Sequence, residues 1–488
     1  MSDAKPNLLV FFCDQLQKRL LGCYGQKLVR TPNLDRLAAE SAVFDNAYTP
    51  TAICSPARAS LMTGVYPHTH HMFNNSTPGY SYCHHLRPEM TMIQDWFADN
   101  TDYETAYFGK WHIGPATDLF ASRFQHTQKP GEANLPYLAS SHWHPSGNLG
   151  GNMVHSVARG SAGTLDTPLA DFPDVYAATR TNEFLDSMAQ KNRPFLAFCA
   201  FPGPHSPWKI PEEFGIRYAP ADIPLPANRH DRFTGKPISQ RKMRLRESLR
   251  KSDAQNDDTL RELMTCCYSY LELIDEQVGR VVAKLKALGQ YENTLIVFTA
   301  DHGDMAGAHG FLSKGSYMYD EIYRIPMLLK PAGAAQSRPH CNEPVCLMDV
   351  TATLLHAAQG TPVHAMNKQT LHGQSLLPLV DGQGAWDRTV SYCEYHGDWY
   401  GHYSARMVTD GKIKLVWNLS DLSELYDLEN DPHELKNLFL DPAYTEVRDK
   451  YLAILKAEAE RCQDGQMKFF DTVSEGLTTT DTTQPLDL

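Results

Sequence analysis

Three near-continuous apolar runs constrain this chain more than any other feature. NLLVFFC (7–13), PFLAFCAF (194–201) and TLIVFTA (294–300) lack the alternation of polar and apolar residues that a strand solvated on one face would show. Such runs must be covered on both faces, as in a parallel sheet packed between helices. TAYFG (105–109) reads as a shorter strand of the same kind. Helical patterns lie between these runs. One helix is expected at Asn33 to Glu40 behind Pro32, and another in ARASLMTG behind Pro56. A long amphipathic helix, LRELMTCCYSYLELIDEQVGRVVAKLKALG, stops at Gly289. Strands alternating with helices predict an α/β fold, with a large, mainly parallel, mixed sheet sandwiched by helices.

The pattern changes after about Leu371. TVSYCEYH, SARMVTD and KIKLVWN are short alternating runs separated by turns, hence antiparallel strands, and Tyr444 to Arg461 reads as a helix. The expected organisation is a large α/β domain over residues 1–370 and a smaller C-terminal α+β subdomain with an antiparallel sheet over 371–488. The terminal TTTDTTQPLDL reads as a mobile or partner-clasping tail. Residues 228–258 are rich in Arg, Lys, Gln and Asp, and read as a solvated insertion with a short helix, RKMRLRESLRK.

Composition removes several functional classes. Lys and Arg total 45 against 57 Asp and Glu, a net charge of −12, which does not suit a non-specific nucleic-acid binder. An anionic substrate would need a local cationic cluster working against that field. No apolar run approaches the roughly 20 residues of a membrane span. The opening MSDAKPNLLVFF lacks the longer apolar core and cleavage site of a signal peptide, so the expected compartment is the cytoplasm. The eleven cysteines form no CxxC pair, which argues against structural zinc and thioredoxin-type chemistry. Most read as small core residues in a reducing compartment. Cys54 is the exception.

In open α/β sheets, ligands bind at the carboxyl ends of strands. Asp14-Gln15, Lys110, the Pro-His-Ser-Pro turn with His205, and Asp301-His302 each follow an apolar run. Their shared placement argues for one site. In CSPARASLMTG, Cys54 stands at a helix start, where free backbone N–H groups make the surroundings electropositive. Arg58 lies one turn on, so its guanidinium can fold back over Cys54. That geometry suits an anion or an activated nucleophile; the bland alternative is a buried Cys with a surface Arg. Taken singly, Lys110, Lys314, His112 and His205 read better as surface lysines and satisfied histidines than as site residues. His70, His71, His84, His85, His142 and His144 match no motif.

The chain resembles the type I sulfatases, formylglycine-dependent members of the alkaline-phosphatase-like superfamily. The resemblance is carried by NLLVFFCDQ, TPNLDRLAAESAVFDNAY, CSPARASLMTG, YETAYFGKWHIG, PHSP, FTADHGDMAGAHG, SKGSYMYDEIYRIP and ELYDLENDPHELKNL, which run from near residue 7 to near 438. It implies that Cys54 is oxidised to Cα-formylglycine. One hydroxyl of the hydrated aldehyde would attack sulfur and expel the alcohol; loss of the second proton would then release sulfate with C–O cleavage. It implies one divalent metal held by Asp14, Gln15, Asp301, His302 and the modified Cys54. Many arylsulfatases show Asp-Asp and Asp-Asn where this chain has Asp-Gln and Asp-His. The variant pairs are similar to choline-sulfatase-like, iduronate-sulfatase-like and phosphonate-monoester-hydrolase-like members. Ca²⁺ is the first choice of metal and Mn²⁺ the second, with Mg²⁺ also suited to oxygen ligands. Lys110 would bridge nucleophile and sulfate, and His112 would remove the diol proton. His205 and Lys314 would contact the sulfate from two sides, and either serves as the acid for the leaving group. Asn75 aligns with a residue that contacts the bound anion. The implied partners are a small sulfated substrate, a formylglycine-generating enzyme during maturation, and further copies of the chain in a dimer or tetramer.

The nearest rival activity is hydrolysis of phosphonate monoesters or phosphodiesters, in relatives that share the Asp-Gln and Asp-His pairs. Those relatives tend to carry neutral hydroxyl residues in place of the Lys-x-His pair, so the intact Lys110-Trp111-His112 argues for sulfate. Side activity on phosphate or phosphonate diesters is expected. An inactive anion-binding scaffold would require an unmodified Cys54 or a missing ligand, yet every expected polar group is present. The natural ester, aryl, choline or sugar, is not legible; residues 120–164, with Trp143, form the candidate specificity loop.

Overall fold

The apolar runs become the central strands of a seven-stranded sheet. Its members are β1 (Asn7–Cys13), β2 (Ala42–Val43), β3 (Glu104–Gly109), β4 (His126–Thr127), β5 (Phe195–Phe201), β6 (Thr294–Ala300) and β7 (Met327–Lys330), in the spatial order β2-β7-β6-β1-β5-β3-β4. β1 pairs in parallel with both β6 and β5, and β5 with β3. Only β7 runs against its neighbours. The computed structural model describes residues 5–76, 83–115, 118–119, 122–128, 152–157, 161–191, 193–250, 256–333, 340–382, 386–397 and 403–470. Most of the candidate specificity loop, with His142, Trp143 and His144, and the tail after residue 470 lie outside the described residues.

The strands lack alternation because both faces are dry. Leu9, Phe11 and Cys13 of β1 join one apolar cluster with side chains of α1 (Pro32–Ala39), α4 (Pro173–Met188) and α5 (Asp257–Ala287). Leu8, Val10 and Phe12 join the opposite cluster with α2 (Cys54–Thr63), α3 (Ile93–Asn100) and α6 (Asp349–Gln359). Burying each such side chain contributes about 1.5–3 kcal/mol before entropy is counted. α5 ends just before Gly289, whose φ of 67° lets the chain turn off the helix.

A second, four-stranded antiparallel sheet comprises β8 (Ser391–Tyr395), β9 (Ala405–Thr409), β10 (Ile413–Asn418) and β11 (Glu424–Asp427). The last strand, inside ELYDLEND, was not expected as a strand. One face of this sheet packs on α7 (Thr445–Arg461) through Val408, Leu415, Tyr451 and Leu455. On the other face, Tyr395, Met407 and Val416 pack with Ile53, Tyr319 and Tyr323. The C-terminal sheet thus supports the residue that precedes Cys54. Among the described residues, no helix is long and apolar enough to cross a membrane.

The segment 228–258 departs from its expected solvation. Asn228, Arg229, Lys236, Gln240 and Met243 are buried, and the helix there spans Ile238–Arg250. Composition misled because its polar groups are spent inside: Gln240 bonds Glu424 at 2.9 Å and Tyr319 at 2.6 Å.

Candidate active site

The ends of four strands are stitched together by backbone and carboxylate bonds. Asp301 N donates to Cys13 O at 3.1 Å, Asp14 N to Gly203 O at 3.1 Å, and Lys110 N to Ala200 O at 2.9 Å. Gln15 N and His302 N both donate to Asp301 Oδ1, at 2.9 and 2.8 Å. Gln15 and His112 hold left-handed backbones, with φ of 61° and 58°. Such conformations cost roughly 1–3 kcal/mol each and concentrate at functional sites. β3 ends at Gly109 and the chain turns at His112, so Lys110 and His112 do not project from one extended segment.

Helix α2 brings its first residue to these strand ends. Cys54 Sγ lies 3.6 Å from Asp14 Oδ1, 3.2 Å from His302 Nε2 and 3.2 Å from Lys314 Nζ. All ten residues of α2 are buried. Asn75 Oδ1 accepts from Ser55 N at 3.1 Å, satisfying one of the unpaired amides at the helix start. Arg58 does not fold back over Cys54 as expected. Its Nε donates to Asp301 Oδ2 at 2.8 Å and its Nη1 to Lys110 O at 2.8 Å, with the guanidinium over the Phe12 ring. A fully buried guanidinium needs carboxylate and carbonyl acceptors, and Asp301 and the Lys110 carbonyl supply them.

Two lysines reach the site. Lys110 Nζ pairs with Asp14 Oδ2. Lys314 Nζ donates to Gln15 Oε1 at 2.7 Å and stands 3.4 Å from His205 Nε2. Burial pushes the Lys110 ammonium down to about 7 and the Cys54 thiol up to about 11. Burial also lowers His302, to about 3. Its Nδ1 bonds Gly303 O at 2.8 Å, which leaves Nε2 as a lone-pair donor facing Cys54. For Asp301, burial is outweighed by His302, Arg58 and Lys110, which hold the carboxyl below its usual range. Burial, with Lys314 and Lys110, puts His205 well below an ordinary imidazole.

Donor atoms of Asp14, Cys54, Asp301 and His302 all lie within 4.8 Å of one another, and all four residues are buried. Two carboxylates, a neighbouring amide oxygen on Gln15 and one imidazole make a donor set that fits a hard divalent cation. Asp304, three residues after Asp301, joins the site although it is not among the residues expected there. Its carboxylate receives Gln15 Nε2, and also Ala306 N and Ser313 N at 2.6 and 3.2 Å. It therefore fixes the Gln15 amide and the loop leading to Lys314. Asp174 and Tyr270, which hold the Gly203 turn, carry no sequence signal.

A second cluster, away from this centre, contains His68, Glu394 and Asp464. Its polar groups are already paired. Glu394 takes His68 Nδ1 at 2.5 Å and His396 Nε2 at 2.6 Å, and Asp464 takes Arg406 Nε at 2.6 Å and Tyr392 OH at 2.8 Å. His68 also reaches Cys462 O at 2.9 Å, so the cluster clasps the C-terminal sheet to the turn after α2. Of the unassigned histidines, His70 bonds Ser60 Oγ at 3.0 Å inside the core, and His85 pairs with Asp118 at the surface.

The doubly covered, mainly parallel sheet thus carries at its carboxyl end a buried cradle lined by Arg58, Lys110 and Lys314, an α/β fold with a site suited to an anionic ester. The family model described as Sulfatase matches residues 6–361, and that described as N-sulphoglucosamine sulphohydrolase, C-terminal, matches residues 307–461. The chain is 31% identical over 460 residues to the uncharacterized sulfatase YidJ of Escherichia coli, covering 91% of this chain and 85% of that one. It is 28% identical over 464 residues to the choline-sulfatase of Rhizobium meliloti, covering 91% and 84%. The solved structure of a 2-O GAG sulfatase superposes with a TM-score of 0.73 at 23% identity, covering 94% and 93%. The chain belongs to the sulfatase family, and it is a sulfuric ester hydrolase.

Proposed function

We propose that Cys54 is matured to Cα-formylglycine and that its hydrate is the nucleophile toward the sulfur of a small sulfate ester. The observation that carries this reading is the convergence of Asp14, His302 and Lys314 on the residue-54 side chain within 3.6 Å, at the N-terminus of α2. The hydrate supplies two hydroxyls on one carbon, one to attack and one to expel sulfate. Asp14, Gln15, Asp301, His302 and residue 54 would hold one divalent cation, Ca²⁺ before Mn²⁺ or Mg²⁺, which supplies Lewis acidity to the bound oxygens. Arg58 keeps Asp301 ionised and aimed. Lys110 and Lys314 offset the charge of the sulfate from two sides, and Asn75 trims the helix end that faces it. His112 takes the proton whose loss releases sulfate. The leaving oxygen takes its proton from the His205–Lys314 pair.

In this reading residues 1–370 carry the chemistry and residues 371–488 buttress it. The eleven free cysteines support a reducing cytoplasm. The relatives' names make choline, aryl and sugar sulfates the esters to screen. Metal-replete enzyme matured at Cys54 should show a far higher kcat/KM on 4-nitrophenyl sulfate than on a phosphonate monoester, with weak side activity on the latter. The reverse order would reassign the enzyme to phosphonate hydrolysis. Peptide mass spectrometry should find an aldehyde at residue 54; a thiol in active enzyme would refute the nucleophile.

A further inference from the structure

We propose that Asp174 and Tyr270 are positioning residues that set the proton-donating His205–Lys314 pair through the Gly203 turn. The inference rests on the reading of that pair as the source of the leaving-group proton. Asp174 lies in the first turn of α4 and Tyr270 on α5, and both are fully buried. Asp174 Oδ1 accepts from Gly203 N at 3.0 Å, and its Oδ2 accepts from Tyr270 OH at 2.7 Å. Gly203 O accepts from Asp14 N at 3.1 Å. The residue is thus gripped at its nitrogen by Asp174 and at its oxygen by the amide of a proposed metal ligand.

Packing tightens the grip. A Cβ on residue 203 would lie 2.5 Å from the Tyr270 ring, so only glycine lets the turn settle against it. Trp208 Nε1 then donates to Pro204 O at 2.9 Å and fixes the far side of the turn. His205 follows with Nδ1 on Ser206 O at 2.5 Å, and Nε2 turned to Lys314 Nζ at 3.4 Å. Lys314 Nζ is in turn 3.2 Å from Cys54 Sγ. The donors to the Asp174 carboxylate include the neutral Gly203 N–H and Tyr270 OH. Burying such a group costs free energy that a hydrophobic residue would not. Its effect is to fix where His205 points.

Proton delivery matters in proportion to the basicity of the leaving oxygen, whereas a merely structural role lowers all rates alike. Asp174→Ala and Tyr270→Phe should therefore lower kcat on an alkyl sulfate by up to about 10²-fold, the usual penalty for a small misplacement of a catalytic group. The rate on 4-nitrophenyl sulfate, whose leaving group needs little help, should change by only about 3-fold, with KM nearly constant on both. Asp174→Asn keeps an acceptor for Gly203 N and a donor for Tyr270, and should restore most of the alkyl-ester rate. Adding Asp174→Ala to His205→Ala should cost nothing further on the alkyl ester. Tyr270→Phe removes a single hydroxyl and serves if Asp174→Ala fails to fold. Equal losses on both esters, or a change in melting temperature alone, would overturn the inference. If His205→Ala and Lys314→Ala discriminate between the esters while the Asp174 and Tyr270 variants do not, the positioning role fails and the donor reading stands. If neither His205→Ala nor Lys314→Ala discriminates, the donor reading falls and the inference with it.

Discussion

Arg58 Nε donates to Asp301 Oδ2 at 2.8 Å, and neither side chain is exposed to solvent. The same guanidinium reaches the Lys110 carbonyl at 2.8 Å and stands 3.6 Å from Asp14 Oδ2, so one side chain on α2 organises the ends of β1, β3 and β6. Lysine cannot reproduce this, because an ammonium offers no planar fork. Arg58→Lys keeps the charge but cannot serve both Asp301 and the Lys110 carbonyl, and should cost about 1–3 kcal/mol of stability, the usual result of leaving a buried acceptor unpaired. Activity should fall by about 10²-fold or more in the protein that remains folded. Chemical denaturation and steady-state assays on an aryl sulfate check both; a variant with native stability and rate would remove Arg58 from the organising role.

If Asp14 and Asp301 hold a cation as proposed, its loss should leave two buried carboxylates with only lysine and arginine as counter-charges. Exhaustive chelation should therefore abolish turnover and lower the melting temperature, and adding back a bound ion should raise it by mass action. A thermal-shift series with Ca²⁺, Mn²⁺ and Mg²⁺, read beside kcat on one sulfate ester, ranks the metals. His302 supplies nitrogen, so Asp301→Asn should weaken every ion, whereas His302→Asn should shift the ranking from Mn²⁺ toward Ca²⁺. Full activity after chelation would refute the metal reading.

A single hydroxyl at residue 54 could attack sulfur but could not release it. Cys54→Ser, produced in a host without the maturation enzyme, should give at most one turnover and accumulate a sulfated peptide at residue 54, while Cys54→Ala should give none. Pre-steady-state product release and mass spectrometry of the peptide make the comparison. Sustained multiple turnover by the Ser variant would refute the need for two geminal oxygens.

Much of this architecture was legible in the chain for a plain reason. β1, β5 and β6 are dry on both faces, so their apolar runs mark strands without alternation, and the residues just past them are forced to the ligand-binding end of the sheet. β7, an antiparallel strand of four residues between prolines, was too short to read. The partner of Arg58 was misjudged because spacing along a helix shows which positions share a face, not which acceptor waits there. Asp174 and Tyr270 were invisible because they meet Gly203 across 29 and 67 residues of chain, through contacts that only the packing of α4 and α5 on β5 creates. Buried polarity in residues 228–258 was mistaken for solvation, since composition cannot distinguish a group facing water from one facing Glu424.

The His68–Glu394–His396 clasp should make part of the stability depend on pH. Burial alone would raise the Glu394 carboxyl, but His68 and His396 outweigh it and hold it well below the usual carboxylate range. Burial opposes protonation of His68, yet Glu394 outweighs it and raises the imidazole. A depressed carboxyl contributes stability that is complete above its unfolded pKa of about 4.3 and is lost as pH falls toward the folded value. A raised imidazole contributes stability that is complete below about 6.5 and is lost as pH rises through its folded value. The clasp should therefore be strongest between these limits. Glu394→Gln should cost about 3–5 kcal/mol in that window, because it leaves two imidazoles facing a neutral amide. Its denaturation midpoint should fall less steeply than that of the wild type as pH drops from about 5 to 3, since the depressed Glu394 carboxyl no longer takes up a proton there. Divalent ions should stabilise both proteins equally, because the clasp's polar groups are spent on one another and the proposed cation site is at Cys54. A Glu394→Gln midpoint that tracks the wild type through the acid range would show that the clasp carries no linked proton.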